Sequence, residues 1–150
     1  MPTGDQTVTP MAKQVAASYF HITEDPREAD AALCFIESPI SIAGGDPLEA
    51  SKDRGYKGKW NTAANEEDLD LILNMRKEMG EKPVIAIVTL KNPMVMAEFE
   101  PYTDAILVEY GVTPAAVLDV LTGAFDPEGL LPIQIPKDME TVEQIGRAHV

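Results

Sequence analysis

Three short apolar runs punctuate this chain, and polar or helix-patterned stretches separate them. Ala31–Ile36 (AALCFI), Val84–Leu90 (VIAIVTL) and Ala105–Tyr110 (AILVEY) are each of strand length. A strand with one wet face alternates apolar and polar residues, whereas a nearly continuous apolar run has both faces covered. Such runs belong to parallel sheets packed between helices. A helical pattern lies between the first two runs. Asn65 is a good N-cap, and Glu66, Glu67 and Asp68 place negative charge in the first turn, where the helix dipole favours it. Leu69, Ile72, Leu73 and Met79 form a buried stripe, Arg76 and Lys77 a basic end, and Gly80 a stop.

The remaining pattern fills in around these runs. Met11–Phe20 predicts a short helix with Val15 and Tyr19 on one face, and Asp25-Pro26 a turn. Val95–Phe99 predicts a helical turn. Thr113 with Pro114 opens another helix, which Gly123 ends. Asp126-Pro127-Glu128-Gly129 reads as a turn and Leu130–Ile135 as a last extended piece between prolines. Residues 40–62 differ from all of these, because Gly44, Gly45, Pro47, Gly55 and Gly58 break the pattern repeatedly. A loop of that length in a compact domain is usually functional or disordered. The order strand, loop, helix, strand, helix, strand, helix, strand predicts an α/β fold: a three-layer α/β/α sandwich with a mostly parallel sheet.

Length and charge narrow the function. With 150 residues the chain has room for one domain, and 45% hydrophobic with 25% charged residues is an ordinary globular profile. A formal charge of −13 repels phosphate backbones and anionic lipid headgroups, so nucleic acid and membranes are poor partners. Neutral ligands such as sugars, or cations, remain. No apolar run reaches the ~18 residues of a membrane span, and MPTGDQTVTP lacks the basic and apolar regions of a secretory signal. No compartment follows from this.

Ligands of open parallel sheets gather beyond the carboxyl ends of the strands. Those ends carry Glu37, Lys91-Asn92-Pro93 and Glu109-Tyr110-Gly111, with Asp46, Glu49, Asp53, Arg54 and Tyr56 on the adjoining loop. They are either surface charges of an acidic protein or a polar rim for a hydroxylated ligand. Trp60 either stacks on a sugar face or anchors the loop. Gly44-Gly45-Asp46-Pro47 lacks both the dinucleotide-binding spacing and the phosphate-loop lysine. His21, His149 and the single Cys34 offer no metal-ligand spacing, so neither metal nor cofactor is expected. Cys34, mid-strand, reads as a buried inert thiol.

Ordered pieces of the chain resemble the C-terminal α/β sandwich domain of glycoside hydrolase family 3, the β-glucosidase family. They are Phe35–Pro39 ending in Glu-Ser-Pro, the pair Asp53-Arg54 ahead of a helix, Lys82-Pro83-Val84, Asn92-Pro93, Asp104–Leu107 and Val117–Gly123. Asp126-Pro127-Glu128-Gly129-Leu130-Leu131-Pro132, with Pro136 four residues on, looks like the family's P-x-G-x-L-P stretch and is the most specific of them. The resemblance runs from about Asp30 to Asp138.

It implies hydrolysis of β-linked glucosides with retention, which takes two carboxyl groups about 5–5.5 Å apart. In the family the nucleophilic Asp belongs to a (β/α)8 barrel preceding the sandwich domain. The present chain is then a fragment, an incomplete domain that walls the sugar site and is inactive alone. The sandwich domain commonly supplies the acid/base Glu shortly before the Asp-Arg pair, which makes Glu49 the acid/base candidate. Glu49 stands four residues before Asp53, where the family spacing is three and Ala50 stands here. Asp53, Arg54 and Trp60 are the substrate-binding candidates. The passage Pro39–Ile42 is short beside related members.

This divides the chain into a loose lead-in at 1–10, the sandwich-like domain at 11–143 and a tail at 145–150. IGRAHV matches what a common sequencing-library adapter encodes in one frame, so the tail is expected to be read-through and the source environmental DNA, the alternative being a genuine variable tail. An alternative is a stand-alone α/β carbohydrate-binding or interaction module that uses the 40–62 loop. A flavodoxin-like cofactor binder would need a Ser/Thr-rich phosphate loop where Glu37-Ser38-Pro39 stands.

Overall fold

The three apolar runs pair in chain order into one parallel sheet. In the computed structural model, which describes residues 10–38, 66–91, 93–138 and 140–141, β1 (Ala32–Glu37), β2 (Val84–Thr89) and β3 (Ala105–Glu109) lie in the order β1-β2-β3. Cys34 stands opposite Ala86, and Ala86 opposite Ile106. Among the described residues, α1 (Pro10–Ala16), α2 (Glu66–Met79) and α3 (Pro114–Leu121) accompany the sheet. The chain is thus of the α/β class that its apolar runs predict.

The two-residue period of a strand decides what each face buries. Ala32, Cys34, Ile36, Val84, Ala86 and Val88 form one buried cluster with Ile72 and Met79 of α2, and Ile106, Val108, Leu69 and Met75 pack against it. Met94, Met96 and Phe99, from the β2–β3 connection, complete that core. Ile72 has no exposed surface, so its burial stabilises the fold by about 1.5–3 kcal/mol. On the opposite face Ile87 is also fully buried, while Leu33, Phe35, Ile85 and Leu107 are half-buried. Both faces are covered, as continuous apolar runs require.

The amino end of the sheet is locked by two cations. Arg76, in the last turn of α2, donates to the carbonyls of Tyr102 (2.9 Å), Gly80 (2.9 Å) and Lys82 (3.0 Å), and to the Asp104 carboxylate. Asp104 in turn accepts the Val84 N–H at 2.7 Å. That N–H first, and then the Arg76 guanidinium, hold the Asp104 carboxyl below the usual carboxylate range. Lys82 donates its Nζ to the carbonyls of Ala29 (2.6 Å) and Arg27 (2.8 Å), tying the approach to β1 to the start of β2. Lys82 and Asp104, both in the ordered pieces noted above, are therefore fold anchors at the amino end of the sheet.

Several local expectations need correction. The first helix ends at Ala16 rather than Phe20, because Ser18 Oγ caps the Val15 carbonyl at 2.6 Å and the chain turns there. The helical turn expected at 95–99 is present, with the Phe99 and Glu100 N–H groups donating to the Met96 carbonyl at 3.1 and 2.9 Å, and it runs on into a 3-10 turn at Glu100–Tyr102 with Pro101 in its first turn. Thr113 precedes α3 without a side-chain capping bond. The turn expected at 126–129 comes earlier, where Gly123 takes φ +75° and the Phe125 N–H reaches the Asp119 carbonyl at 3.1 Å. Leu130–Ile135 is not a strand: among the described residues the sheet has three. Pro132 and Pro136 remove two ladder donors, and Leu130 is 96% exposed, although Ile133 and Ile135 still pack against the core.

Candidate functional site

In a parallel sheet every strand ends on the same edge, and a crossover helix begins there. The carboxyl edge here carries Glu37 and Ser38 after β1, Lys91 after β2, and Glu109, Tyr110 and Gly111 at the end of β3. The first turn of α2 joins them through Asp68, whose Oδ2 accepts the Glu37 N–H at 3.1 Å. The described residues flanking the 39–65 segment thus both lie at this edge.

A short polar network ties β1 to β2. Lys91 Nζ donates to Glu37 Oε2 at 2.6 Å, and the Lys91 N–H donates to Ser38 Oγ at 2.8 Å. The Ser38 N–H donates to the Thr89 carbonyl at 3.0 Å, and Ser38 is 1% exposed. About half of the Glu37 and Lys91 side chains faces solvent, so the ion pair itself contributes only about 0–1 kcal/mol. Its value is positional: it sets a paired carboxylate and ammonium beside the point where the chain leaves β1.

The other two carboxylates at this edge are engaged differently. Burial pushes the Asp68 carboxyl up, opposed by the N–H of Glu37 and reinforced by the negative charges of Glu37 and Glu67. Glu109 folds back on its own turn, accepting the N–H groups of Gly111 and Val112 (2.9 Å). Gly111 has φ +86°, a conformation that favours glycine. That turn leaves the Tyr110 ring exposed beside the edge.

Of the residues expected at the strand ends, Glu37 and Lys91 are brought together, Glu109 serves its own turn, and Asn92 lies outside the described residues. The acid/base candidate Glu49 and the substrate-binding candidates Asp53, Arg54 and Trp60 also lie outside them. Sequence reasoning missed two members of the edge. Asp68 reads as a helix-dipole carboxylate, and nothing in its spacing announces that it caps a strand. Ser38 reads as loop, although its place directly after an apolar run signals a buried position. Among the described residues no three His, Cys, Asp or Glu side chains group as a metal set. Cys34 is 2% exposed, and burial pushes its thiol up to about 11.

Comparison with known proteins gives this edge a context. The curated relatives include beta-glucosidase C of Emericella nidulans, 29% identical over 156 residues, covering 94% of this chain and 24% of that protein. Probable beta-glucosidase C of Aspergillus flavus is 30% identical over 124 residues, covering 83% of this chain and 18% of that protein. Probable beta-glucosidase C of Aspergillus oryzae is 29% identical over the same length. The chain therefore spans a quarter or less of the length of these relatives. No solved structure matches it. The sequence model for the glycosyl hydrolase family 3 C-terminal domain matches residues 5–149, nearly the whole chain. With the parallel sheet and the ordered pieces described above, this chain belongs to the glycosyl hydrolase family 3 C-terminal domain family.

Proposed function

We propose that this chain is part of a longer, retaining β-glucosidase-like enzyme, in which its carboxyl edge walls a sugar site shared with a (β/α)8 barrel elsewhere in the polypeptide. The observation that carries this reading is the family match over residues 5–149, with relatives named beta-glucosidases across up to 94% of the chain. Retention requires a nucleophilic carboxylate and an acid/base carboxylate about 5–5.5 Å apart. We assign the first to the barrel and the second to Glu49, with Asp53, Arg54 and Trp60 orienting the sugar. The chain alone is then catalytically silent.

The edge chemistry supports this division of labour. Glu37 is paired with Lys91, Glu109 with the N–H groups of its own turn, and Asp68 with the N–H of Glu37. An acid/base must exchange a proton with the glycosidic oxygen, and carboxylates already committed to fold contacts are poorly suited to do so. Glu37 and Lys91 are instead suited to accept from and donate to sugar hydroxyls at the rim.

The test is Glu49→Gln in the full enzyme. Loss of an acid/base slows cleavage of an alkyl β-glucoside by about 10²–10⁴-fold. It slows an aryl β-glucoside with a good leaving group far less, because that departure needs little protonation. Equal loss on both substrates, or none on either, rejects Glu49 in this role.

A further inference from the structure

We propose that Asp68 is a positioning residue for the sugar rim: it holds the Glu37 backbone so that the Glu37–Lys91 pair meets substrate hydroxyls in one fixed orientation. The proposal rests on the reading of this edge as the wall of a sugar site. A continuous chain of contacts from α2 through β1 to β2 carries it. Asp68 Oδ2 accepts the Glu37 N–H at 3.1 Å, and Glu37 Oε2 accepts from Lys91 Nζ at 2.6 Å. The Lys91 N–H donates to Ser38 Oγ at 2.8 Å, and the Ser38 N–H to the Thr89 carbonyl at 3.0 Å.

The alternation of a parallel ladder gives Asp68 its task. The N–H groups of Ala32 and Ser38 donate to the β2 segment, so the Glu37 N–H, one residue out of phase, points away from β2. β2 therefore fixes the peptide group after the Glu37 side chain, and Asp68 fixes the one before it. Lys91 is rooted in the same way, on a serine that is 1% exposed. About half of each paired side chain nevertheless faces solvent. Anchored roots beneath exposed heads suit recognition, because the motion is removed before a ligand arrives.

Stability does not account for this arrangement. A half-exposed ion pair contributes little to folding, and the Asp68 carboxylate stands against burial and against the negative charges of Glu37 and Glu67. Such costs gather where a fold serves a site. The Glu37 bond also spans 31 positions of sequence, so it is a tertiary contact beyond what an acidic residue does in the first turn of a helix.

The test is a double-mutant cycle in the full enzyme, with initial rates measured on an aryl β-glucoside. Lys91→Met removes a charged donor to the sugar and is expected to raise KM about tenfold with kcat within about twofold. Asp68→Ala alone is expected to raise KM about three- to tenfold. In the Lys91→Met background it should add less than about 1.5-fold, because it acts through the same pair. Asp68→Asn keeps an acceptor for the Glu37 N–H and is expected to return KM to within about twofold of the parent. Three outcomes overturn the proposal and leave the enzyme reading intact: additive effects of Asp68→Ala and Lys91→Met, an unchanged KM in Asp68→Ala, or a KM still raised in Asp68→Asn at unchanged Tm. An unchanged KM in Lys91→Met removes the rim reading together with the proposal. A full polypeptide that hydrolyses no β-glucoside removes the enzyme reading as well.

Discussion

Arg76 reaches from the last turn of α2 to the carboxylate of Asp104, at the threshold of β3, and so fastens the only long helix among the described residues to the start of two strands. The guanidinium also holds three carbonyls, those of Tyr102, Gly80 and Lys82. Arg76→Ala is expected to cost about 2–3 kcal/mol, read from urea denaturation, because these acceptors lose a charged donor together. Arg76→Lys recovers only part of the loss, since an ammonium cannot reproduce the planar fork.

The same carboxylate gives the fold an acid limb. The pKa of Asp104 is depressed in the folded chain, first by the Val84 N–H and then by Arg76. Asp25 and Asp138 are depressed as well, by Arg27 and by Thr141 respectively. A depressed carboxyl contributes stability that is fully present above its unfolded value near pH 3.9 and is lost as pH falls through the folded value. Asp68 is shifted the other way, so its protonation relieves the fold as the pH drops. Urea midpoints measured from pH 7 to pH 2 are expected to fall below about pH 4, and Asp104→Asn to flatten that fall.

Gly80 ends α2 with φ +60° and nothing within 4 Å of where a Cβ would stand. Steric room is therefore no obstacle, and the cost of a side chain is conformational. Gly80→Ala is expected to destabilise by about 1–2 kcal/mol, measured as a shift in the urea midpoint. A variant as stable as the parent would show that the helix stop lies elsewhere.

Much of this arrangement is legible in the sequence, and the reason is periodicity. The runs that became β1, β2 and β3 are apolar on both faces, and α2 occupies the span Glu66–Met79 that its stripe and Gly80 mark. What failed to read out depends on partners distant in sequence. Leu130–Ile135 has the apolar content of a strand, but two prolines deny it the ladder. The early end of α1 turns on one serine hydroxyl. At the candidate site, Glu37 and Lys91 could each be placed at a strand end. Their pairing follows from the register of β1 with β2, and the capping of β1 by Asp68 from the packing of α2 beside it, contacts that join residues more than thirty positions apart.

Cys34 offers a probe of the core that needs no variant. Its thiol is buried on β1 and pushed up to about 11, so at pH 8 it stays protonated and shielded. Labelling by a thiol reagent is expected to be negligible in the native chain and to become complete in step with urea unfolding. Rapid labelling under native conditions would mean that β1 opens locally.

The central claim, that this chain is the sandwich portion of a β-glucosidase-like enzyme, is tested most directly by sequencing the source DNA on both sides of the reading frame. The account predicts an in-frame upstream segment encoding a (β/α)8 barrel with a candidate nucleophilic Asp. A genuine start and stop bounding this frame, with no barrel adjoining it, would contradict the account and leave a stand-alone α/β module.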